Sequence, residues 1–259
     1  MKIVPRGTMR KNVYIIDEFK GMPELGSEHD VGREDSSQDF GIEKMEYANL
    51  TEGSEALVNS MLKWEADHPD EKNFIIIAGP SGSGKDTLIK EIAHSPDEET
   101  HLSLDRYYLG SELQKRRQGR VNFSIPEALD QERIQDDIEK INNAQVGDVV
   151  EVPLYSMSHS KRVGQERLHV RRRIIIEGVY ALNQVHQDTP FKIYVDARPD
   201  TLLERKLHRD AEERGIHPDL VKKRFQENVL PATEEFVVPQ KELASIVIHN
   251  DTGVDEKKE

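Results

Sequence analysis

Residues 75–87 read IIIAGPSGSGKDT, and Gly79, Pro80, Ser81, Gly82, Ser83, Gly84 and Lys85 supply the spacing G-x-x-x-x-G-K. Glycines at those places let the backbone curl until successive amides point at one anion. A helix beginning at the lysine adds the positive end of its dipole. The chemistry this favours is the holding of a phosphate chain, with Lys85 as a mobile positive charge on the outer phosphates. One position departs from the usual pattern. Asp86 stands where a hydroxyl that helps hold Mg²⁺ is common, and the hydroxyl of Thr87 comes one place later. Asp86 is either a carboxylate favoured in the first turn of a helix or a group that holds Mg²⁺ through water.

A second group with chemical capacity is Asp105 in SLDRYYL, just after a strand candidate, THLSLD. Ligands of open parallel sheets bind outside the carboxyl ends of the strands. A carboxylate placed there can accept a proton from an attacking hydroxyl during phosphoryl transfer. The alternative is a plain loop residue before two tyrosines.

The elements that must position these groups follow from apolar patterning. NFIIIAG is an unbroken apolar run ended by glycine, the signature of a strand buried on both sheet faces. DTLIKEIAHS reads as the helix after the loop. ALDQERIQDDIEKINN has helical spacing, with Ile134, Ile138 and Ile141 about a turn apart. RRIIIEG, FKIYVDA and ASIVIHN are further strand candidates, and PDTLLERKLHRDAEERG has proline at a helix start and glycine at its end. Strands alternating with helices predict an α/β domain of three layers with a mainly parallel sheet over residues 73–250. Residues 1–72 are expected to form an N-terminal extension, partly disordered and rich in Glu, Asp, Gly and Ser. Within it, 11–19 is a short strand candidate and 54–68 an amphipathic helix, with Leu57, Met61, Leu62 and Trp64 on one face. Residues 251–259 are expected to be a flexible tail.

Composition limits the function classes. The 259 residues carry a formal net charge of −13, which argues against a protein built mainly to hold nucleic acid or an anionic membrane. Accordingly the basic clusters QKRRQGR (114–120) and RRR (171–173) are read as solvated loops or a phosphate-facing lid. There is no cysteine, so disulfides and thiolate chemistry are excluded. The longest apolar runs are too short to cross a bilayer, and residues 1–20 hold no secretory apolar core. A cytoplasmic protein is expected, with a homo-oligomer left open.

Several stretches occur together in a particular order: GPSGSGKDT, LDRYY, NFSIPEALD, VPLYSMSHSKR, IIIEGVYAL, IYVDA, ERKLHRDAEERG and PATEEFVVPQKELASIVIHN. In that order, over about 73–250, the chain resembles the uridine kinase and phosphoribulokinase family of P-loop kinases. The resemblance implies ATP as phosphate donor, Mg²⁺ as cofactor and a small-molecule acceptor. It implies Asp105 as the catalytic carboxylate, with Lys85 and Arg209 acting on the transferring group. Nucleotide binding falls to Gly79, Ser81, Gly82, Ser83, Gly84, Lys85, Asp86, Thr87, Arg205 and Arg214. Acceptor binding falls to Phe123, Ser124, Tyr155, His159 and Arg162, and metal binding to Thr87, Asp86 and Glu177, the last two through water. Departures from the family pattern bear on the acceptor, among them Ile125-Pro126 for its His-Pro and Tyr155-Ser156-Met157 for its Tyr-Asp-Phe. Ser124 replaces the family's ribose-gripping Asp, and Lys206 replaces the second of two arginines, losing a bidentate fork. The expected activity is phosphorylation of uridine or cytidine to the monophosphate. The alternatives are a kinase for another hydroxyl metabolite (a sugar, sugar phosphate or small acid) and a nucleotide-binding regulatory protein with little catalysis.

Overall fold

The computed structural model describes residues 44–93, 98–119 and 121–253, all within the unit Gln38–Glu259. The strand candidate at 11–19 lies outside the described residues. The frame is a six-stranded parallel sheet. In chain order its strands are β1 (Met45–Tyr47), β2 (Asn73–Ala78), β3 (Glu99–Ser103), β6 (Arg173–Gly178), β7 (Phe191–Asp196) and β8 (Ile246–His249). Across the sheet they run β1-β8-β7-β2-β6-β3. From β2 the chain goes to one side for β3 and β6, then returns on the other side for β7 and β8. The carboxyl end of β2 is therefore a switch point, where a crevice opens. Between β3 and β6, β4 (Val149–Ser156) and β5 (Lys161–His169) form a separate antiparallel hairpin.

The apolar runs split by alternation into two core faces, as the two-residue period of a strand requires. Phe74, Ile76 and Ala78 of β2 point to one face, with Ile134, Ile138 and Ile141 of α4 (Gln131–Asn143). Ile75 and Ile77 point to the other, against α1 (Leu50–Asp67) and α2 (Lys85–Ile92). The three layers expected from the sequence are present.

The packed unit begins before residue 73. Met45–Tyr47 pairs with Ile246–Ile248 at the sheet edge. The Asn49 side chain caps α1 by accepting from the Glu52 amide at 2.9 Å. Leu57 and Met61 of α1 are fully buried in the second core, and burial of each stabilises by about 1.5–3 kcal/mol. Leu62, expected on the same face, is instead 48% exposed, because a step of one residue turns it off the buried stripe.

Arginines of the RRR cluster, read from the sequence as a solvated loop or part of a phosphate-facing lid, join this helix to the sheet. Arg173 is buried and forms ion pairs with Glu65 of α1 and Glu99 of β3, both at 2.9 Å. Arg172 donates to the Glu65 and His68 carbonyls at the end of α1. The expected tail is also engaged at its start: Asp251 accepts from the Arg198 amide at 2.6 Å, and the Thr252 carbonyl from Arg205 at 2.7 Å. No helix among the described residues is long and apolar enough to cross a membrane.

The packing of α1 has a direct test. Leu57→Ala is expected to lower the unfolding free energy by about 2–5 kcal/mol in urea denaturation. A detachable arm would show almost no change.

Candidate active site

The loop between β2 and α2 is built around backbone that only glycine tolerates. Gly79 has φ 148°, and a Cβ there would lie 2.2 Å from the Val195 carbonyl oxygen. Gly84, which opens α2, has φ 104°, and its Cβ would lie 2.1 Å from Asn250 Nδ2. Asn250 follows β8 and donates through Nδ2 to the Ser83 carbonyl at 2.7 Å. Lys85 is buried and folds back over the loop, with Nζ 3.1 Å from the Gly79 carbonyl and 3.3 Å from that of Pro80. Carbonyls are weak partners for an ammonium group, so an incoming phosphate is a better one.

A cavity of about 260 Å³ lies over this loop. Gly84, Lys85, Asp86 and Thr87 line it from the loop and helix, and Asp105 and Glu177 from the ends of the neighbouring strands. Burial pushes the Asp105 carboxyl up to about 6, with the nearby Glu177 charge adding to the rise. Glu177 is raised as well, chiefly by burial, against the pull of Lys85 and a hydrogen bond from Ser103. Asp86 lies in the first turn of α2 and is exposed.

A second cavity of about 300 Å³ adjoins the first, and the two share Ser81, Asp105, Val179 and Arg209. Its far wall is aromatic. Tyr108 meets Phe123 edge to face at 5.6 Å between ring centres, and Tyr155 at 6.1 Å. The Tyr155 hydroxyl is buried with no hydrogen-bond partner among the described residues. The opposite wall carries Lys206, Arg209 and Arg214. They come from α6 (Pro199–Leu207) and its continuation, a π-helical turn His208–Glu213 that ends at Arg214.

The residues singled out in the sequence thus fall into groups. Ser81, Gly82, Gly84, Lys85, Asp86, Thr87, Asp105, Glu177, Arg205 and Arg209 surround the loop cavity. Gly79 and Ser83 shape the loop beneath it. Phe123, Ser124 and Tyr155 line the aromatic cavity, and so does Arg214, expected on the nucleotide side. His159 and Arg162 are not among its lining residues. His159 is exposed at the hairpin turn, with Nδ1 2.9 Å from the Ser156 hydroxyl, and Arg162 pairs with Asp130 at 2.7 Å. Arg205, expected to reach toward phosphates, directs its guanidinium at the Gly82 and Ser83 carbonyls and at Asn250. Tyr108, Tyr180 and Asn250 went unassigned in the sequence, and Lys206 was marked there only as a departure from an arginine. Only the second tyrosine of DRYY and the polar residue ending IVIHN hinted at two of them.

A family model, "Phosphoribulokinase / Uridine kinase family", matches residues 74–255. The chain belongs to this family. It is accordingly a kinase, a phosphotransferase with a hydroxyl acceptor. A uridine kinase from Yersinia enterocolitica is 31% identical over 186 residues, 68% of this chain and 85% of that protein. A uridine kinase from Yersinia pestis is 32% identical over the same shares. Among solved structures, D-glycerate 3-kinase from Cryptococcus neoformans var. grubii superposes with a TM-score of 0.55 at 12% identity, covering 76% of this chain and 95% of its own. A structure from Bacillus stearothermophilus, published as a possible uridine kinase, gives 0.53 at 15%, covering 77% and 98%. At such identities the structural likeness is one of fold.

The raised Asp105 carboxyl predicts a stability effect independent of any substrate. The folded state holds its proton up to about pH 6, the unfolded chain only to about 3.9, so stability is lost as pH rises through that window. Asp105→Asn removes the penalty. It is expected to be more stable than the parent by about 1–3 kcal/mol at pH 7, with the gap closing below about pH 4, as measured by denaturation across pH.

Proposed function

We propose that the chain transfers the γ-phosphoryl group of ATP to the sugar hydroxyl of uridine or cytidine. The observation that carries this reading is that two cavities, one over a phosphate-binding loop and one walled by Tyr108, Phe123 and Tyr155, meet at Asp105 and Arg209. A flat pyrimidine ring fits an aromatic wall, and the hydroxyl to be phosphorylated then faces Asp105. The uridine kinase relatives support the same acceptor.

In this reading the loop amides and Lys85 hold the phosphates. Asp105, ionised above about pH 6, accepts the hydroxyl proton as the oxygen attacks phosphorus. Arg209, at the junction of the cavities, meets the charge on the transferring group. The hard oxygen donors Thr87, Asp86 and Glu177 around one cavity fit Mg²⁺. Among the described residues no three acidic or histidine groups form a cage, and Mg²⁺ usually takes one or two carboxylates with the phosphates themselves. Bound there, it would neutralise phosphate charge.

A second reading rests on Ser124. Among the described residues Asp105 is the only carboxylate lining the aromatic cavity, so a ribose diol finds no further carboxylate there. This favours a different hydroxyl metabolite, such as a sugar or small acid.

ADP release with ATP, Mg²⁺ and one acceptor at a time separates the readings. Uridine or cytidine is expected to support turnover, with kcat/KM falling below about pH 6 as Asp105 gains its proton. Asp105→Asn is expected to lose about 10²–10⁴-fold in kcat. Turnover with sugars or small acids and none with nucleosides would overturn the pyrimidine assignment.

A further inference from the structure

We propose that Asp210 is the positioning residue of this site, a single carboxylate that sets the orientation of Lys206, Arg209 and Arg214. Its side chain is 7% exposed and accepts from all three. Lys206 Nζ approaches Oδ2 at 3.1 Å, and Arg209 Nε and Arg214 Nη1 approach Oδ1 at 3.0 and 3.1 Å. The same three cations form the charged wall of the aromatic cavity, and Arg209 reaches the loop cavity as well.

Local structure explains how one acid reaches three bases. Lys206, Asp210 and Arg214 stand four residues apart, so a helical path stacks them. The path widens into the π-helical turn His208–Glu213, and π turns are frequent at functional sites. The Ile216 amide closes it on the Asp210 carbonyl at 3.0 Å. Burial alone would raise the Asp210 carboxyl. The hydrogen bond from Arg209 and the charges of Lys206 and Arg209 outweigh that and hold it below the ordinary Asp range, so it stays ionised.

The point of attachment gives the arrangement its consequence. Asp210 engages Arg209 by its Nε edge, which leaves the terminal nitrogens facing the junction of the cavities. There Nη2 stands 3.5 Å from the Ser81 hydroxyl of the phosphate loop. One negative charge against three positive ones leaves the wall cationic but tethered. Asp210 holds the cations where charge develops during transfer and keeps them from closing on the phosphates of bound ATP. It touches neither substrate.

The inference rests on reading the two cavities as donor and acceptor sites, and its test keeps the two claims apart. Asp210→Asn and Asp210→Glu in the full chain would be compared with the parent. The measurements are kcat, KM for ATP, affinities for ADP and for a non-hydrolysable ATP analogue, and thermal midpoint. For Asp210→Asn, kcat is expected to fall about tenfold to a hundredfold, as a small misplacement costs, while KM for ATP does not rise. Affinity for the ATP analogue relative to ADP rises, because the released cations bind the extra phosphate. Asp210→Glu recovers part of kcat. Parental values for kcat and for the nucleotide ratio would overturn the proposal. So would a joint fall in thermal midpoint and both affinities, which marks a merely structural ion-pair cluster. If no acceptor is turned over by the parent, the acceptor assignment fails, and the nucleotide ratio alone decides the role of Asp210.

Discussion

The Arg205 guanidinium holds the two halves of the site in register. It donates to the Gly82 and Ser83 carbonyls of the phosphate loop, to both oxygens of Asn250, and to the Thr252 carbonyl. Hydrogen bonds from a charged donor are worth about 1.5–3 kcal/mol each, and five on one planar group fix its direction as well. Arg205 belongs to α6, whose continuation carries Arg209, Asp210 and Arg214. Arg205 therefore ties the loop to the helix that bears the cationic wall, beside the Arg209 contact with Ser81. Asn250 completes the brace by donating to the Ser83 carbonyl, close enough to Gly84 to exclude any Cβ there. These bonds thus tie together the loop, the residues after the last strand and the cationic helix.

Within that frame the site works against folding. Asp105 and Glu177 are carboxylates placed where burial disfavours charge, and the Glu177 charge adds to the rise at Asp105. Perturbed carboxylates of this kind gather at sites of chemistry, and the stability they give up is supplied by the two apolar faces of the sheet. The extra helix α1 adds to one of these faces, with the Arg173 ion pairs at its end. A buried carboxyl that titrates near 6 costs stability once it is ionised, yet it is a well-matched proton acceptor near neutral pH.

Much of this was legible in the sequence, because the strongest signals are local. NFIIIAG followed by the glycine spacing reads as a buried strand running into a phosphate loop, and Asp105 fell just after a strand by counting. The hairpin β4–β5 was less visible. Its second strand is exposed along nearly its whole length and rich in charge, so it lacks the alternation that betrays a half-buried strand. Strand β1 is three residues long, below what periodicity can register. The arginines were hardest to place. Arg173, Arg205 and Arg209 look alike in a charged sequence, yet one is a core ion pair, one a loop brace and one a cavity wall. What separates them is which oxygens surround each guanidinium, and that is a property of tertiary structure. For the same reason His159 and Arg162, near Tyr155 in sequence, are not among the residues that line the cavity.

In the proposed function the aromatic cavity seats the acceptor with its reacting hydroxyl on Asp105. The most direct measurement is a crystal structure of the protein with a non-hydrolysable ATP analogue and uridine. The phosphate chain is expected on the loop amides, the pyrimidine ring against Tyr108 and Phe123, and the 5′-hydroxyl oxygen within about 2.6–3.2 Å of an Asp105 carboxylate oxygen. A uridine bound elsewhere, or lying in the cavity with its hydroxyl turned away from Asp105 and the γ-phosphate, would contradict it.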